Sequence, residues 1–129
     1  MKNRVAVILV CSIVLVMTLS ACGAVKDLSA VKDAGEAFMT ALRDGDVVTS
    51  WNMLTTEVQA EVGDIASWQN FVIPRNFSEW KFSNTQVENN VAQLDGEATL
   101  GADNYAVVLV FEKVNDYWLL SGINFTYVE

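Results

Sequence analysis

Histidine is absent from the chain, and both of its cysteines, Cys11 and Cys22, fall within the first 22 residues. The lack of imidazole removes His general-base catalysis and Ser-His or Cys-His nucleophiles. Together with the missing thiols it also removes the usual zinc ligand sets from the body of the protein. There is no glycine-rich loop of the kind that cradles phosphate. Asp44-Gly45-Asp46 lacks the spacing of a calcium loop and reads as a helix stop followed by a helix start. Basic residues are few, eight against sixteen acidic ones. An acidic body is repelled by nucleic acid, so no nucleic-acid partner is expected. Pro74 is the single proline, and the chain shows no Pro- or Ser-rich linker, repeat or low-complexity tract.

What is present begins at the N-terminus. Lys2 and Arg4 precede an aliphatic run over Val5 to Leu19, and small residues follow it. This is the layout of a secretory signal peptide, and the run falls short of the roughly 20 residues of a membrane span. Leu19-Ser20-Ala21-Cys22, followed by Gly23, resembles the bacterial lipobox at every position. The resemblance implies a diacylglycerol on the sulfur of Cys22 and cleavage between Ala21 and Cys22. Two or three acyl chains, at about 0.8 kcal/mol per buried methylene, anchor a protein stably where one does not. The expected organisation is a signal peptide over 1–21, a lipidated Cys and short tether over 22–27, and one domain over 28–129. The site of action is then the cell membrane or outer membrane, on the extracytoplasmic side. Gly23 is not the Asp that retains some lipoproteins in an inner membrane.

Removing the first 21 of 129 residues leaves 108, enough for one core. With Cys11 cleaved away and Cys22 acylated, no disulfide is expected and stability rests on packing. Six basic residues then face sixteen acidic ones, a net charge near −10 that favours solubility. A tether of this length reaches only roughly 15–20 Å, which keeps the domain close to the bilayer.

Leu28, Val31, Ala34, Phe38, Ala41 and Leu42 recur at three- and four-residue steps and predict an amphipathic helix. Gly45 is its stop and Asp46 the cap of a second helix from Val47 to about Leu54, carrying Val48, Trp51 and Leu54. Thr56 and Gln59 have the spacing of a capping box for a short helix closed by Gly63. Asp64 caps a further helix over Ile65–Val72, which Ile73-Pro74 ends.

From Phe77 onward the apolar period shortens to two. A strand from Glu79 is predicted to pass a bulge at Asn89-Asn90 and turn at Asp95-Gly96, a dipeptide favoured in hairpins. A short second strand over Glu97–Leu100, a third over Tyr105–Val114 and a fourth over Tyr117–Val128 follow, the last bent at Gly122. In the third strand Tyr105, Val107, Leu109 and Phe111 form one apolar face, while Ala106, Val108 and Val110 form another. A strand apolar on both sides is covered on both sides. Helices cover one; the other needs the sheet's own curl, a partner, or a second copy of the domain through the sheet.

Phe38-x-x-Ala41-Leu42-x-x-Gly45-Asp46 and Trp118-x-x-x-Gly122 resemble the first helix and late strand of small bacterial lipoprotein domains in the nuclear transport factor 2-like superfamily. The resemblance implies an α+β cone, with N-terminal helices packed on a curved antiparallel four-stranded sheet. That superfamily includes isomerases and dehydratases that work in a pocket between helices and sheet, and many non-catalytic binding domains. Fold alone does not choose among them.

Catalysis would fall to carboxylates and phenols. Glu112 lies inside the third strand near its end, and Asp103 and Tyr105 sit together at a turn. Trp51, Trp68, Phe71, Trp80 and Tyr105 are candidates for the lining of an apolar pocket. The glycosylation patterns at Asn76 and Asn124 are read as chance matches in a bacterial lipoprotein. The sequence therefore leads to a lipid-anchored domain, without a cofactor or metal, that binds a protein partner or a small apolar ligand. A small pocket enzyme and a structural envelope component are the alternatives.

Overall fold

The computed structural model describes residues 26–129. The expected signal peptide, the expected Ala21–Cys22 cleavage point and the expected lipidation site at Cys22 lie outside these residues. Among the described residues no helix is long and apolar enough to cross a membrane.

Helix α1 occupies 26–44, so Lys26 and Asp27 are already helical. Its inward stripe is Val31, Phe38, Ala41 and Leu42, joined by Met39; of the other residues the period assigned to it, Ala34 is half-buried and Leu28, in the first turn, is exposed. The helix ends where Gly45 donates its N–H to the Leu42 carbonyl (3.1 Å) and Asp46 donates to Ala41 (2.8 Å). That paired closure satisfies carbonyls the last turn would leave open. Helices α2 (Val47–Asn52), α3 (Thr56–Val62) and α4 (Ile65–Val72) follow, then a 3-10 turn over Ile73–Arg75. Asp46 accepts from the Thr49 N–H and Asp64 from the Ser67 N–H, so both predicted caps form.

Two helical details differ from expectation. The cap of α3 is Thr55, whose hydroxyl accepts from the Val58 N–H at 3.3 Å, and not Thr56. Gln59, freed from a capping box, donates to the Trp51 carbonyl at 2.9 Å and ties α3 to α2. In α2 the buried side chain is Ser50, while Val48 is exposed, because the inward arc is set by the Trp68 indole that Ser50 meets.

The sheet is a four-stranded antiparallel meander in the order β1 (Glu79–Glu88), β2 (Val91–Leu100), β3 (Asp103–Val114) and β4 (Tyr117–Val128). The first hairpin turns at Asn89-Asn90, not at Asp95-Gly96, so β2 is a full-length strand. Asn89 takes φ 55°, a left-handed angle that asparagine tolerates well. Gly96 stays in the ladder opposite Phe82, where β1 carries a bulge. A Cβ there would collide with the Lys81 carbonyl and lie 2.9 Å from Phe82 Cα. The glycine is thus required by a close approach of two backbones and not by a turn. The β3–β4 hairpin turns at Asn115-Asp116 as predicted, and the register slips between Val110 and Phe111, next to Gly122.

One sheet face carries the core. Leu94, Val107, Leu109, Phe111 and Leu120 pack against Val31, Phe38, Leu42, Trp68 and Val72 from the helices. Helix α1 crosses this face. Asp27 meets Lys113 of β3 (3.1 Å), Gly35 lies against Leu94 and Phe82, and Glu36 meets Trp80 of β1. The linker between α2 and α3 joins the β4 edge, with Thr55 donating to Leu120 (3.0 Å) and Leu120 donating to Met53 (2.8 Å). Capping an open strand edge in this way removes a site of unwanted pairing.

Candidate functional site

Of the five aromatic residues singled out in the sequence, four belong to one continuous run. Trp51 and Trp68 lie 6.5 Å apart between ring centroids, and Trp68 stacks on Phe71 at 4.8 Å. Phe71 meets Phe125 at 6.4 Å, Phe125 meets Phe77 at 4.8 Å, and Phe77 meets Tyr105 edge-on at 5.7 Å. Phe77 and Phe125 complete the run and were not among the sequence candidates. Their only local signal was an apolar residue in a sequon-like triplet, which says nothing about spatial neighbours. Trp80 stands apart. Its indole N–H donates to Glu36 Oε2 at 2.6 Å, and the Arg43 guanidinium lies 5.6 Å from its ring.

The run is mostly core. Trp68 and Phe77 are buried, whereas Trp51, Phe71 and Tyr105 are half-buried at its margins. The Trp68 indole donates to Ser50 Oγ at 2.8 Å, and that hydroxyl can in turn donate to the Asp46 carbonyl at 2.9 Å. A buried indole N–H thereby has a partner, which the aromatic packing alone would not supply. Arg75 lies 3.9 Å over the Phe71 ring and donates to the Phe71 carbonyl, so it screens the outer side of that ring.

Where α3, α4 and β4 meet, Trp68 and Phe71 form one wall of an open slot of about 230 Å³. Val58, Val62 and Ile123 complete its apolar lining, and Glu61 and Ser121 are its polar groups. Ser121 Oγ donates to the Val110 carbonyl at 3.3 Å. The slot can take a small apolar group. Glu61 is exposed, as are Glu112 and Asp103, so none of the three is a carboxylate held in an apolar cavity.

The buried polar side chains among the described residues are Ser50 and Thr55, both hydroxyls. The groups with displaced titration are surface groups. Asp64 is held below the usual carboxylate range by the Ser67 N–H, and Asp44 is lowered by its hydrogen bond to Arg43. Among the described residues no group of three or more Asp or Glu is arranged to hold a metal ion.

This architecture is shared with solved structures. One, from Streptomyces avermitilis and provisionally named a dehydratase of the NTF2-like family, matches with a TM-score of 0.62 at 17% identity. The match covers 81% of this chain and 97% of that one. Another, an NTF-2 like protein of unknown function from Burkholderia xenovorans LB400, matches with a TM-score of 0.54 at 14% identity, over 78% and 86%. At such identities the likeness concerns the fold, and the chain has the NTF2-like α+β fold. No family model and no curated protein matches the sequence.

Proposed function

We propose that this protein is a lipid-anchored, extracytoplasmic binding or assembly domain without catalytic activity, held to the membrane through Cys22 and working through its surface on a protein partner. The observation that carries the non-catalytic reading is the filled interior. Phe38, Trp68, Phe77, Leu94, Leu109 and Phe111 occupy the space between helices and sheet at 2% exposure or less. An acid–base pocket needs a carboxylate or phenol inside that space, and hydroxyls are the buried polar groups there. The anchor is supported by the complete lipobox at Leu19–Cys22 and by the helix that is under way by Lys26, a few residues further on.

The outer sheet face is the first candidate surface. Ala106, Val108 and Val110 are half-buried there, and a second copy of the domain would cover them. The slot beside Trp68 and Phe71 supports a narrower reading, a small apolar ligand. The dehydratase name of the Streptomyces protein favours a third, a pocket enzyme, in which the same slot with Glu61 at its rim would be the reaction site.

Native mass spectrometry on a soluble form beginning at Gly23 separates these readings. A dimer with nothing bound supports assembly through the sheet. A mass above that of the chain, lost on denaturation, turns the reading toward the slot. A bare monomer removes the homodimer and leaves capture of a different protein. The anchor is tested separately by metabolic labelling with an alkynyl fatty acid. Label is expected on the wild type and not on Cys22→Ala, and label on both would sink Cys22 as the attachment point.

A further inference from the structure

We propose that the end of the domain nearest Cys22 docks on the phospholipid bilayer surface through Leu28, Val91, Val114 and Tyr117, so that the anchor fixes the orientation of the domain as well as its location. The inference rests on the lipid-anchor reading above. Nine large apolar side chains are exposed among the described residues, and these four share one end of the molecule, at 37%, 53%, 37% and 72% exposure.

Their clustering follows from contacts that gather three chain segments. Val91 follows the Asn89-Asn90 turn, and Val114 and Tyr117 pair across the Asn115-Asp116 turn. Lys113 donates its backbone N–H to the Asn90 carbonyl at 2.8 Å, which places the two hairpin tips side by side. The Lys113 ammonium reaches Asp27 Oδ1 at 3.1 Å and lies 5.7 Å from the Trp118 ring, which draws the first turn of α1 to the same place. Leu28 follows Asp27 directly.

The tether places that end at the membrane. From Cys22 to Lys26 the chain spans no more than about 15 Å even fully extended. The opposite end of the sheet, where Tyr105 pairs with Tyr127, lies roughly 30 Å away along the strands, beyond the tether's reach. An anchored domain meets the bilayer at high local concentration, so a modest apolar contact suffices to hold one orientation. A tyrosine with aliphatic neighbours suits the interfacial region, where rings with one polar tip settle.

Charge does not drive the contact. Glu88, Glu112 and Asp116 are exposed at this end and outweigh the exposed Lys26, and Lys113 is engaged with Asp27. The occupant is therefore a neutral phospholipid interface, and anionic headgroups oppose the docking.

The test uses the processed, acylated protein reconstituted in phosphatidylcholine vesicles, with single nitroxide labels at Tyr117→Cys, Val91→Cys and Tyr127→Cys. All three positions are exposed, so the labels leave the core intact. Labels at 117 and 91 are expected to show several-fold greater relaxation by lipid-soluble oxygen, relative to a water-soluble nickel chelate, than the label at 127. The contrast is expected to shrink when phosphatidylglycerol is added. Protein that floats with the vesicles while all three labels stay aqueous would overturn the docking and leave the anchor standing. Equal protection at 117 and 127 would overturn the orientation. Protein that does not float overturns the anchor, and the docking with it.

Discussion

The two faces of β3 carry similar side chains and have opposite fates. Val107, Leu109 and Phe111 are at 1% exposure or less under the helices, whereas Ala106, Val108 and Val110 on the reverse remain half-exposed among Asp95, Gln93 and Asn124. Apolar composition along a strand thus says that a face can be covered without saying that it is. The helices are long enough for one face, and the cross-strand neighbours of the other are polar, so its aliphatics sit in a mixed surface. Neighbours, not residue type, separate core from surface here.

The strongest way to break this contrast is a pair of truncations. Leu109→Ala is expected to cost about 3 kcal/mol, because the methyl groups lost lie in a packed interior that collapses only partly. Val108→Ala, one residue away, is expected to cost less than about 1 kcal/mol. Urea denaturation at low protein concentration reads both. Equal losses would mean that the outer face is as covered as the inner one, and a loss for Val108→Ala that grows with protein concentration would identify a second copy as the cover.

Additions of one methyl sharpen the same comparison. Gly96→Ala on the inner face meets the backbone of Lys81 and Phe82, which cannot swing aside, and is expected to cost about 1–3 kcal/mol. Gly122→Ala meets only the Val110 side chain on the outer face, Cβ at 3.3 Å and Cγ2 at 3.5 Å, and is expected to stay within about 1 kcal/mol of wild type. Thermal melts of the two variants decide it, and a Gly122→Ala loss equal to that of Gly96→Ala would contradict the open outer face.

Inside the aromatic run, Trp68→Phe removes the indole N–H that reaches Ser50 and leaves the hydroxyl its backbone acceptors. A loss of about 1–2 kcal/mol is expected, and Ser50→Ala in the same background should add little to it. Additive losses in this double-mutant cycle would show that the indole and hydroxyl do not act as a pair.

The smallest effect expected is at the surface. The folded Asp64 carboxyl lies below its ordinary range, so as the pH falls the unfolded chain takes up the proton first. The contribution of Asp64 is therefore complete above the ordinary carboxylate titration and fades as the pH drops through the folded value. Asp64→Asn should flatten that part of the stability profile in acid and change little at neutral pH, since Asn caps a helix about as well. Parallel profiles would show that the Ser67 hydrogen bonds do not distinguish folded from unfolded chain.

The helical half was largely legible in the sequence because its signals are local. Asp46 and Asp64 cap groups three residues away, and Gly45 ends a helix through bonds that span a single turn. The first hairpin was misplaced for the converse reason. Asp95-Gly96 carries the local form of a turn, but Gly96 answers to a strand more than ten residues earlier, at the β1 bulge. The candidate site was half legible. Trp51, Trp68 and Phe71 meet because α2 and α4 pack together, whereas the link to Tyr105 depends on Phe77 and Phe125, which come from a loop and from β4. Trp80 belongs to the α1 crossing and no periodicity could have separated it from the others.

By itself, then, the sequence determined the order of elements, the Asp46 and Asp64 helix caps, the Asn115-Asp116 turn and the alternation that gives each strand an inner and an outer side. These follow from bonds and periods spanning a few residues, which any window of the chain contains. Tertiary structure alone decided which side of the sheet the helices cover, where β1 turns into β2, and that four exposed apolar residues from three segments gather around Lys113. Each of these depends on the approach of groups distant in the chain, and that approach is set by the packing of the whole core.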